Sequence, residues 1–426
     1  MVKLNFYISL VCLLTASIMA THALSQDMSG WSDKTICRLL LSNPDAPAYI
    51  EEVASRNLSC GSSQEKVSKL APASGPVNFK TREAELLDKN IPNSRKLIES
   101  SKNFVAGKFV NLKSDYKNVT SRSGSPDKSA TLMDWIFPIK DKNPTGPLPT
   151  AQFESDYLTE DTFVWLGHST LLMNTGGLIV ITDPVFNRAS PVPIFGKPFA
   201  YKNPINIDDL PKVNVVIISH DHYDHLDSKA IKDLSNKVDH FFVPLGVKAH
   251  LKRWGVDASK VSELDWHDSE DYKNVRFTLT PAQHFSGRSL INGNSTLWGS
   301  WIVSSETLKA YFSGDGGYSE TFKQIGDQYG PFDVAFIENG AYNKAWSKVH
   351  MFPHETAQAS IDLKAKVLFP IHWSKFDLSI HAWDEPIIRI TEEADKRGIS
   401  IATPMIGEVF ELTNLPDTRW WEELRN

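Results

Sequence analysis

Two rhythms of apolar residues run along this chain, and they change over near Thr162. Before that point the spacing is helical or irregular. Ile36, Leu39, Leu40 and Leu41 precede Asn43-Pro44, and residues 49–57 can form a second helix. Residues 61–76, rich in Ser, Gly and Pro, read as a linker, and residues 82–100 as a further short helix. A polar, proline-spaced stretch follows to about residue 160, punctuated by Phe109, Trp135-Ile136-Phe137 and Pro147-Leu148-Pro149. It is expected to be an irregular leader packed on the main domain. From Thr162 the runs are short and β-branched. Residues 163–166 and 178–181 read as strands, with Gly176-Gly177 as a hairpin turn between strands. Further strands are expected at 213–218, 276–280, 308–313, 333–337 and 366–371, with helices at 228–234 and 355–363. This alternation predicts an α/β layered domain. No internal repeat is present.

Composition narrows the class. Hydrophobic residues at 41% and charged residues at 23% describe an ordinary globular protein, and 426 residues allow two or three domains. A net charge of −6 without a dense basic cluster argues against a nucleic-acid partner. Lys3, the apolar run 4–14 and the small residues to Ala20 and Ala23 predict a secretory signal peptide over 1–23. That run is short of the roughly 20 residues a membrane span needs, so an uncleaved anchor is the weaker reading. Export, to the periplasm or the medium, is therefore expected. Cys12 would leave with the signal peptide, and Cys37 and Cys60 are expected to pair as a disulfide. The expected plan is a signal peptide, a helical extension and linker at 24–105, and a catalytic domain at 106–426.

The candidate chemistry begins where the strand at 213–218 ends. Ser219-His220-Asp221-His222-Tyr223-Asp224-His225-Leu226-Asp227 holds three histidines and three aspartates in nine residues. Residues one and two apart do not share a helix face, so the segment reads as a loop wrapped around a point. Three more polar residues or pairs follow predicted strands: His284, Gly314-Asp315 and His372-Trp373. Strand ends in layered α/β folds bring such loops together. The candidate ligands are His220, His222, Asp224, His225, His284, Asp315 and His372. A single tetrahedral ion needs about four ligands, so this set suits two ions sharing a carboxylate. No cysteine lies in this half, which leaves nitrogen and oxygen donors and suits zinc, iron or manganese. Asp183 and His168 are expected to support the ligands. Asp221 and Asp227 are expected to tie down the loop, and Glu338 is left out of the ligand set. His267, His354 and His381 are expected to be surface or packing residues. Trp298, Trp301, Trp346, Trp373 and Trp383 are expected to be mostly core, with one or two lining an acyl groove.

The block 219–227, with His284, Gly314-Asp315 and His372, resembles the metallo-β-lactamase superfamily. Trp165-Leu166-Gly167-His168-Ser169-Thr170 and Thr182-Asp183-Pro184-Val185-Phe186 resemble that fold's opening strands. Leu297-Trp298-Gly299-Ser300-Trp301 and Ile371-His372-Trp373-Ser374-Lys375-Phe376 are similar to the N-acylphosphatidylethanolamine-hydrolysing phospholipase D branch and its bacterial relatives. The resemblance runs from about 108 to 386. It implies a four-layer αββα sandwich, to which the pattern of residues 24–105 adds the small helical N-terminal extension. It implies two divalent metal ions, zinc first and iron or manganese next. His220, His222 and His284 would hold one, and Asp224, His225 and His372 the other, with Asp315 bridging. Asp224 and Asp315 would also assist catalysis, and Tyr223 and His350 would contact substrate. The chain departs from the family in its exported, cysteine-bearing leader and in the composition of residues 283–295.

The function expected is an exported hydrolase that cleaves an N-acylphosphatidylethanolamine-like phosphodiester by a metal-bridged hydroxide. A lactonase, β-lactamase or other carbonyl hydrolase is the alternative on the same site. A non-enzymatic exported metal-binding protein is the second. Expected partners are a phospholipid or other small ester. Peripheral membrane contact and a homodimer are left open, and nucleic acid is not expected.

Overall fold

The computed structural model describes residues 36, 37, 53, 55, 56, 58, 92–112, 140–192, 195–289 and 292–424. The chain forms two compact units, Met1–Glu83 and Ala84–Asn426. In the first, Ile36, Cys37, Val53 and Ser55 are helical, and the Leu58 N–H donates to the Val53 carbonyl at 2.9 Å. The expected signal peptide, the linker 61–76 and Cys60, hence the Cys37–Cys60 pairing, lie outside the described residues. So does Trp135-Ile136-Phe137. No helix among the described residues is long and apolar enough to cross a membrane.

The second unit opens with helix α1 (Pro92–Ser100) and a small hairpin of β1 (Phe104–Val105) and β2 (Lys108–Phe109). Strands β3 (Thr162–Trp165), β4 (Leu171–Thr175), β5 (Leu178–Thr182) and β6 (Val213–Ile217) follow. Then come helix α2 (Ser228–Leu234), β7 (Val238–Pro244), helix α3 (Lys248–Arg253) and β8 (Val261–Leu264). Strands β9 (Ser269–Tyr272), β10 (Val275–Thr280), β11 (Ser300–Ser304) and β12 (Lys309–Phe312) come next. Helix α4 (Thr321–Gln328), β13 (Phe332–Glu338), helix α5 (Pro353–Asp362), β14 (Ala365–Ile371), helix α6 (Glu385–Arg397) and β15 (Val409–Glu411) complete it.

These strands make two sheets, in the orders β15-β3-β4-β5-β6-β7-β8 and β14-β13-β12-β11-β10-β9. In the first, β5 to β8 run parallel, and in the second β12 to β14 do. The burial alternates with the period of a strand. Phe163, Trp165, Leu171, Met173, Val215 and Ile217 join the core between the sheets. Val164, Leu166, Leu172, Val216 and Ile218 pack outward against Ala230, Ile231, Leu234 and Leu251 of α2 and α3. Both faces are covered, which is why these strands read as continuous apolar runs. On the far side, α5 lies on β13 and β14 and against α6. The layers are helix, sheet, sheet, helix, as the resemblance implied.

Aromatic rings join the two sheets. Phe242 stacks on Phe277 at 4.5 Å, Phe163 meets Phe336 at 5.5 Å, and the Trp301 indole N–H donates to the Ile218 carbonyl at 2.8 Å. All five tryptophans singled out in the sequence are buried, so they serve the core and none offers an open acyl groove. His267, His354 and His381 lie against Tyr329, Phe352 and Tyr342, as packing residues do. Strand β4 was not singled out by the apolar pattern, because Gly167-His168-Ser169-Thr170 interrupts the run ahead of it.

Removing the inter-sheet ring at Phe277 leaves a cavity that two sheets held by hydrogen bonds cannot close. Phe277→Ala should lower the unfolding free energy by about 3–5 kcal/mol, read from the shift of the urea midpoint at unchanged slope.

Candidate metal centre

Every predicted ligand sits just beyond the C-terminal end of a strand. β6 ends at Ile217, and residues 219–227 turn back on themselves, with the His225 and Leu226 N–H groups donating to the His222 carbonyl at 3.1 and 2.8 Å. Asp183, beyond β5, anchors this turn. Its carboxylate accepts from the Ser219 N–H and hydroxyl at 2.7 and 2.5 Å and lies 2.7 Å from His225 Nδ1. Burial pushes the Asp183 carboxyl up, and the contacts with His225 and Ser219 oppose that rise. Asp227 caps α2, accepting from the Lys229 and Ala230 N–H groups at 2.9 and 3.2 Å. It also accepts from Asn187, so it ties down the loop as expected.

Two glycines let the loops close. A Cβ on Gly314, at φ +57°, would lie 2.5 Å from the Ser219 Cβ, and one on Gly340 would lie 1.9 Å from the His372 carbonyl oxygen. His372 itself is pinned by its N–H to the His168 carbonyl at 2.9 Å, and His168 N–H donates to the Trp373 carbonyl at 3.0 Å.

The seven predicted donors converge. His220 Nε2 is 2.8 Å from His222 Nδ1, which is 3.3 Å from His284 Nε2. On the other side, His225 Nε2 and His372 Nε2 lie 3.6 and 3.5 Å from Asp224 Oδ2. Asp315 Oδ2 stands between the groups, 3.1 Å from both His225 Nε2 and His372 Nε2. It is also 4.0 and 3.9 Å from His220 Nε2 and His284 Nε2. The structure therefore brings the seven predicted donors together, with Asp315 between the His220, His222 and His284 group and the Asp224, His225 and His372 group. His168 also approaches, its Nε2 3.3 Å from Asp224 Oδ2.

Burial and charge divide these groups into two sets. Burial first, and crowding by other imidazoles second, hold His220 well below the usual histidine range. Burial likewise brings His222 down to about 4 and holds His284 well below the usual range. Burial also acts to lower His225 and His372, but Asp315 and Asp224 outweigh it, raising His225 well above the usual range and His372 to about 9. Asp224 and Asp315 stay well below the carboxylate range because neighbouring histidines, His225 first, overcome the effect of burial. His225 Nε2, His372 Nε2 and Asp315 Oδ1 are buried without a hydrogen-bond partner. Buried polar atoms rarely stay unpaired, and a metal ion satisfies all three. A thiol-free set of imidazoles and carboxylates fits a divalent ion such as zinc, iron or manganese.

Of the two predicted substrate residues, His350 lies beside the donors and Tyr223 bonds to Arg288. His350 is buried, its ring 5.5 Å from that of His284 and 5.2 Å from that of His372. Tyr223 is half-buried, with its hydroxyl donating to the Arg288 carbonyl at 2.9 Å. Glu338 is fully buried and accepts from the Met351 N–H at 2.6 Å. Asp221 bonds outside the donor set, accepting from the Gly287 N–H at 2.7 Å, with His250 Nε2 3.3 Å away.

Several supporting residues have no local signature. Asn111 clamps His284, its side-chain amide donating to the His284 carbonyl at 2.8 Å and accepting from the His284 N–H at 3.1 Å. The Val349 carbonyl lies 3.1 Å from His284 Nδ1 and fixes that ring. Arg288 joins the His284 loop to the motif. Its Nη1 donates to the Asp221 and Leu226 carbonyls at 2.8 and 2.7 Å, and its guanidinium lies 4.0 Å from the Tyr223 ring centroid and 5.2 Å from that of Trp254. The arginine in residues 283–295 was visible, but only the fold reveals what it touches.

Arg288→Ala should weaken metal binding about 10–100-fold, measured by competition with a chelating dye, and Arg288→Lys should not restore it because lysine lacks the planar fork. The histidine shifts set a pH dependence. A metal must displace the protons that raised His225 and His372 retain in the metal-free protein, the latter up to about pH 9, so affinity should rise with pH. In the metal-free protein the sign is opposite: the raised His372 stabilises the fold below pH 6.5, and that contribution is lost as pH climbs through about 9. Calorimetry in buffers of differing ionisation enthalpy should register proton release on metal binding at pH 7.

Comparison with known proteins follows the same geometry. The beta-lactamase superfamily domain matches residues 179–373, which span β5 to the loop after β14 and contain all seven donors. An uncharacterized protein of Mycobacterium tuberculosis is 37% identical over 338 residues, covering 77% of this chain and 89% of its own length. The N-acyl-phosphatidylethanolamine-hydrolyzing phospholipase D 1 of Caenorhabditis elegans is 35% identical over 268 residues, covering 59% of this chain and 75% of its own length. Among solved structures, Igni18, a metallo hydrolase from Ignicoccus hospitalis, superposes with a TM-score of 0.46 at 19% identity, over 59% of this chain and 98% of that one. The chain is a metal-dependent hydrolase of the metallo-β-lactamase superfamily, homologous to the N-acylphosphatidylethanolamine-hydrolysing phospholipases D of worm and yeast.

Proposed function

We propose that this protein is an exported phosphodiesterase that cleaves N-acylphosphatidylethanolamine-like phospholipids at the bond a phospholipase D cleaves. The products are phosphatidate and an N-acylethanolamine. The observation that carries this reading is Asp315 set between two donor triads, in a chain homologous to the worm enzyme of that name over three quarters of the latter. His220, His222 and His284 would hold one divalent ion and Asp224, His225 and His372 the other, with Asp315 shared. Bound there, the ions would supply Lewis acidity toward the phosphodiester oxygens and a water acidic enough to act near neutral pH.

The chain's own residues complete the site. Asp183 and Asn111 fix His225 and His284, so the nitrogen donors need no rearrangement when the ions and substrate arrive. Asp224 and Asp315, held ionised, would orient the attacking water and offset the charge of the bound ions. His350, between the rings of His284 and His372, borders the donors against which a phosphodiester would sit. Export is supported by Lys3 and the apolar run 4–14, and it would place Cys37 and Cys60 where a disulfide persists.

The test is elemental analysis of the purified protein with hydrolysis assays on N-acylphosphatidylethanolamine, a lactone and a β-lactam. The proposal expects two metal ions per chain and lipid cleavage, with activity falling at least about a thousandfold in Asp315→Asn. Turnover of the lactone or the lactam alone would move the substrate to the carbonyl class. Failure to turn over any substrate after loading with zinc, manganese or iron would overturn the enzyme reading.

A further inference from the structure

Glu338 belongs to neither group of donors, yet its side chain is fully buried beside them. A carboxyl group inside a protein is costly unless hydrogen bonds or charges satisfy it. The group that Glu338 faces is His350, whose Nδ1 lies 3.7 Å from Glu338 Oε2. That Nδ1 is itself buried without a hydrogen-bond partner. Two buried polar groups, each with capacity to spare, therefore look at one another across a short gap.

The carboxylate is held from every side. Glu338 ends β13, where it pairs with Ile371, the residue before His372. Its N–H donates to the Ser313 hydroxyl at 2.9 Å, two residues before Asp315, and its carbonyl accepts from the Thr356 hydroxyl at 3.0 Å. In the side chain, Oε1 accepts from the Met351 N–H at 2.6 Å, and Oε2 accepts from the Gly340 N–H at 3.4 Å. One carboxylate thus grips the backbone of Met351 and faces the ring of the residue before it. His350 also reaches the donors. One of its ring nitrogens, a carboxylate oxygen of Asp315 and a ring nitrogen of His372 lie within 4.8 Å of one another.

We propose that Glu338 is a positioning residue for His350: its Oε2 accepts the Nδ1 hydrogen of His350, which fixes the tautomer and angle of the ring and leaves Nε2 for the substrate at the donors. A gap of 3.7 Å is long for a hydrogen bond, and such contacts tighten when a site fills. An imidazole without a fixed partner divides its hydrogen between two nitrogens and presents either one. Glu338 touches no reacting atom and acts only through His350. The oxygen on the Met351 N–H decides what a near-isosteric change does. In Glu338→Gln the side-chain oxygen stays on Met351, so the amide NH2 takes the place of Oε2 and meets Nδ1 as a donor, which reverses the tautomer. The effect on turnover rests on the phospholipid reading above, whereas the tautomer does not.

Four zinc-loaded forms of the whole protein are compared: natural, Glu338→Gln, His350→Asn and the double variant. Metal content and circular dichroism are read for each. Long-range proton–nitrogen NMR on isotope-labelled histidine reports which ring nitrogen carries the hydrogen, and His350→Asn locates the His350 signals. Hydrolysis is followed on N-acylphosphatidylethanolamine. The proposal expects the His350 hydrogen on Nδ1 in the natural protein and on Nε2 in Glu338→Gln, at equal metal content. In Glu338→Gln kcat should fall about 10–100-fold with KM held within about twofold. In the His350→Asn background the same change should cost nothing further, because Glu338 has lost the residue it acts through. The proposal is overturned if the natural protein carries that hydrogen on Nε2 alone, or if Glu338→Gln leaves the tautomer as it was. It is also overturned if Glu338→Gln loses metal or fold, or if the two losses multiply in the double variant, either of which would make the carboxylate a general brace. A reversed tautomer with no lipid cleaved by any form would sustain the positioning and sink the phospholipid reading.

Discussion

One carboxylate sets the terms for this molecule. Asp315 is buried between four imidazole nitrogens, at 3.1 Å from two of them and about 4 Å from the other two. Such a group is costly to bury alone, and a cluster of imidazoles is equally unfavourable when each carries a proton. Together they divide into neutral histidines on one side and strongly proton-holding histidines on the other, the latter facing both Asp224 and Asp315. That polarised arrangement is a site awaiting cations. It explains why unpaired atoms such as His225 Nε2 and Asp315 Oδ1 can persist in a well-packed interior.

The two sheets exist, from the site's point of view, to hold this set at fixed spacing. β6, β10, β12 and β14 each deliver one donor segment from a strand end, and inter-sheet contacts such as Phe242 on Phe277 lock the sheets face to face. Around the donors runs a second ring of hydrogen bonds from Asp183, Asn111, the Val349 carbonyl and Arg288. Each comes from a segment remote in sequence from the ligand it fixes. Phe186 and Phe199 are tied to the same ligand loops, through Asp227 and the Lys375 carbonyl.

Much of this was legible in the chain. The block 219–227 announces itself because donors one and two residues apart can converge only in a loop, and the apolar run before it places that loop at a strand end. His284, Asp315 and His372 were legible for the same reason, each following a short apolar run. Most of the tryptophans were expected in the core, and all five named ones are buried. The supporting residues were not legible. Asn111 lies in a polar, irregular stretch with no period, and its importance arises from contact with a residue 173 positions away. Arg288 carries no local signature, and its role arises from contact with the Tyr223 and Trp254 rings. The Val349 carbonyl belongs to the backbone, which no side-chain pattern encodes. β4 escaped notice because the turn at Gly167-His168-Ser169-Thr170, which exists to bring His168 to Asp224, interrupts the apolar run.

The most direct test of the account is anomalous X-ray scattering from crystals of the metal-loaded protein. Two peaks about 3.5–4 Å apart, one among His220, His222 and His284 and the other among Asp224, His225 and His372, with Asp315 touching both, are what the account predicts. A single fully occupied peak, or two peaks neither of which contacts Asp315, would contradict it.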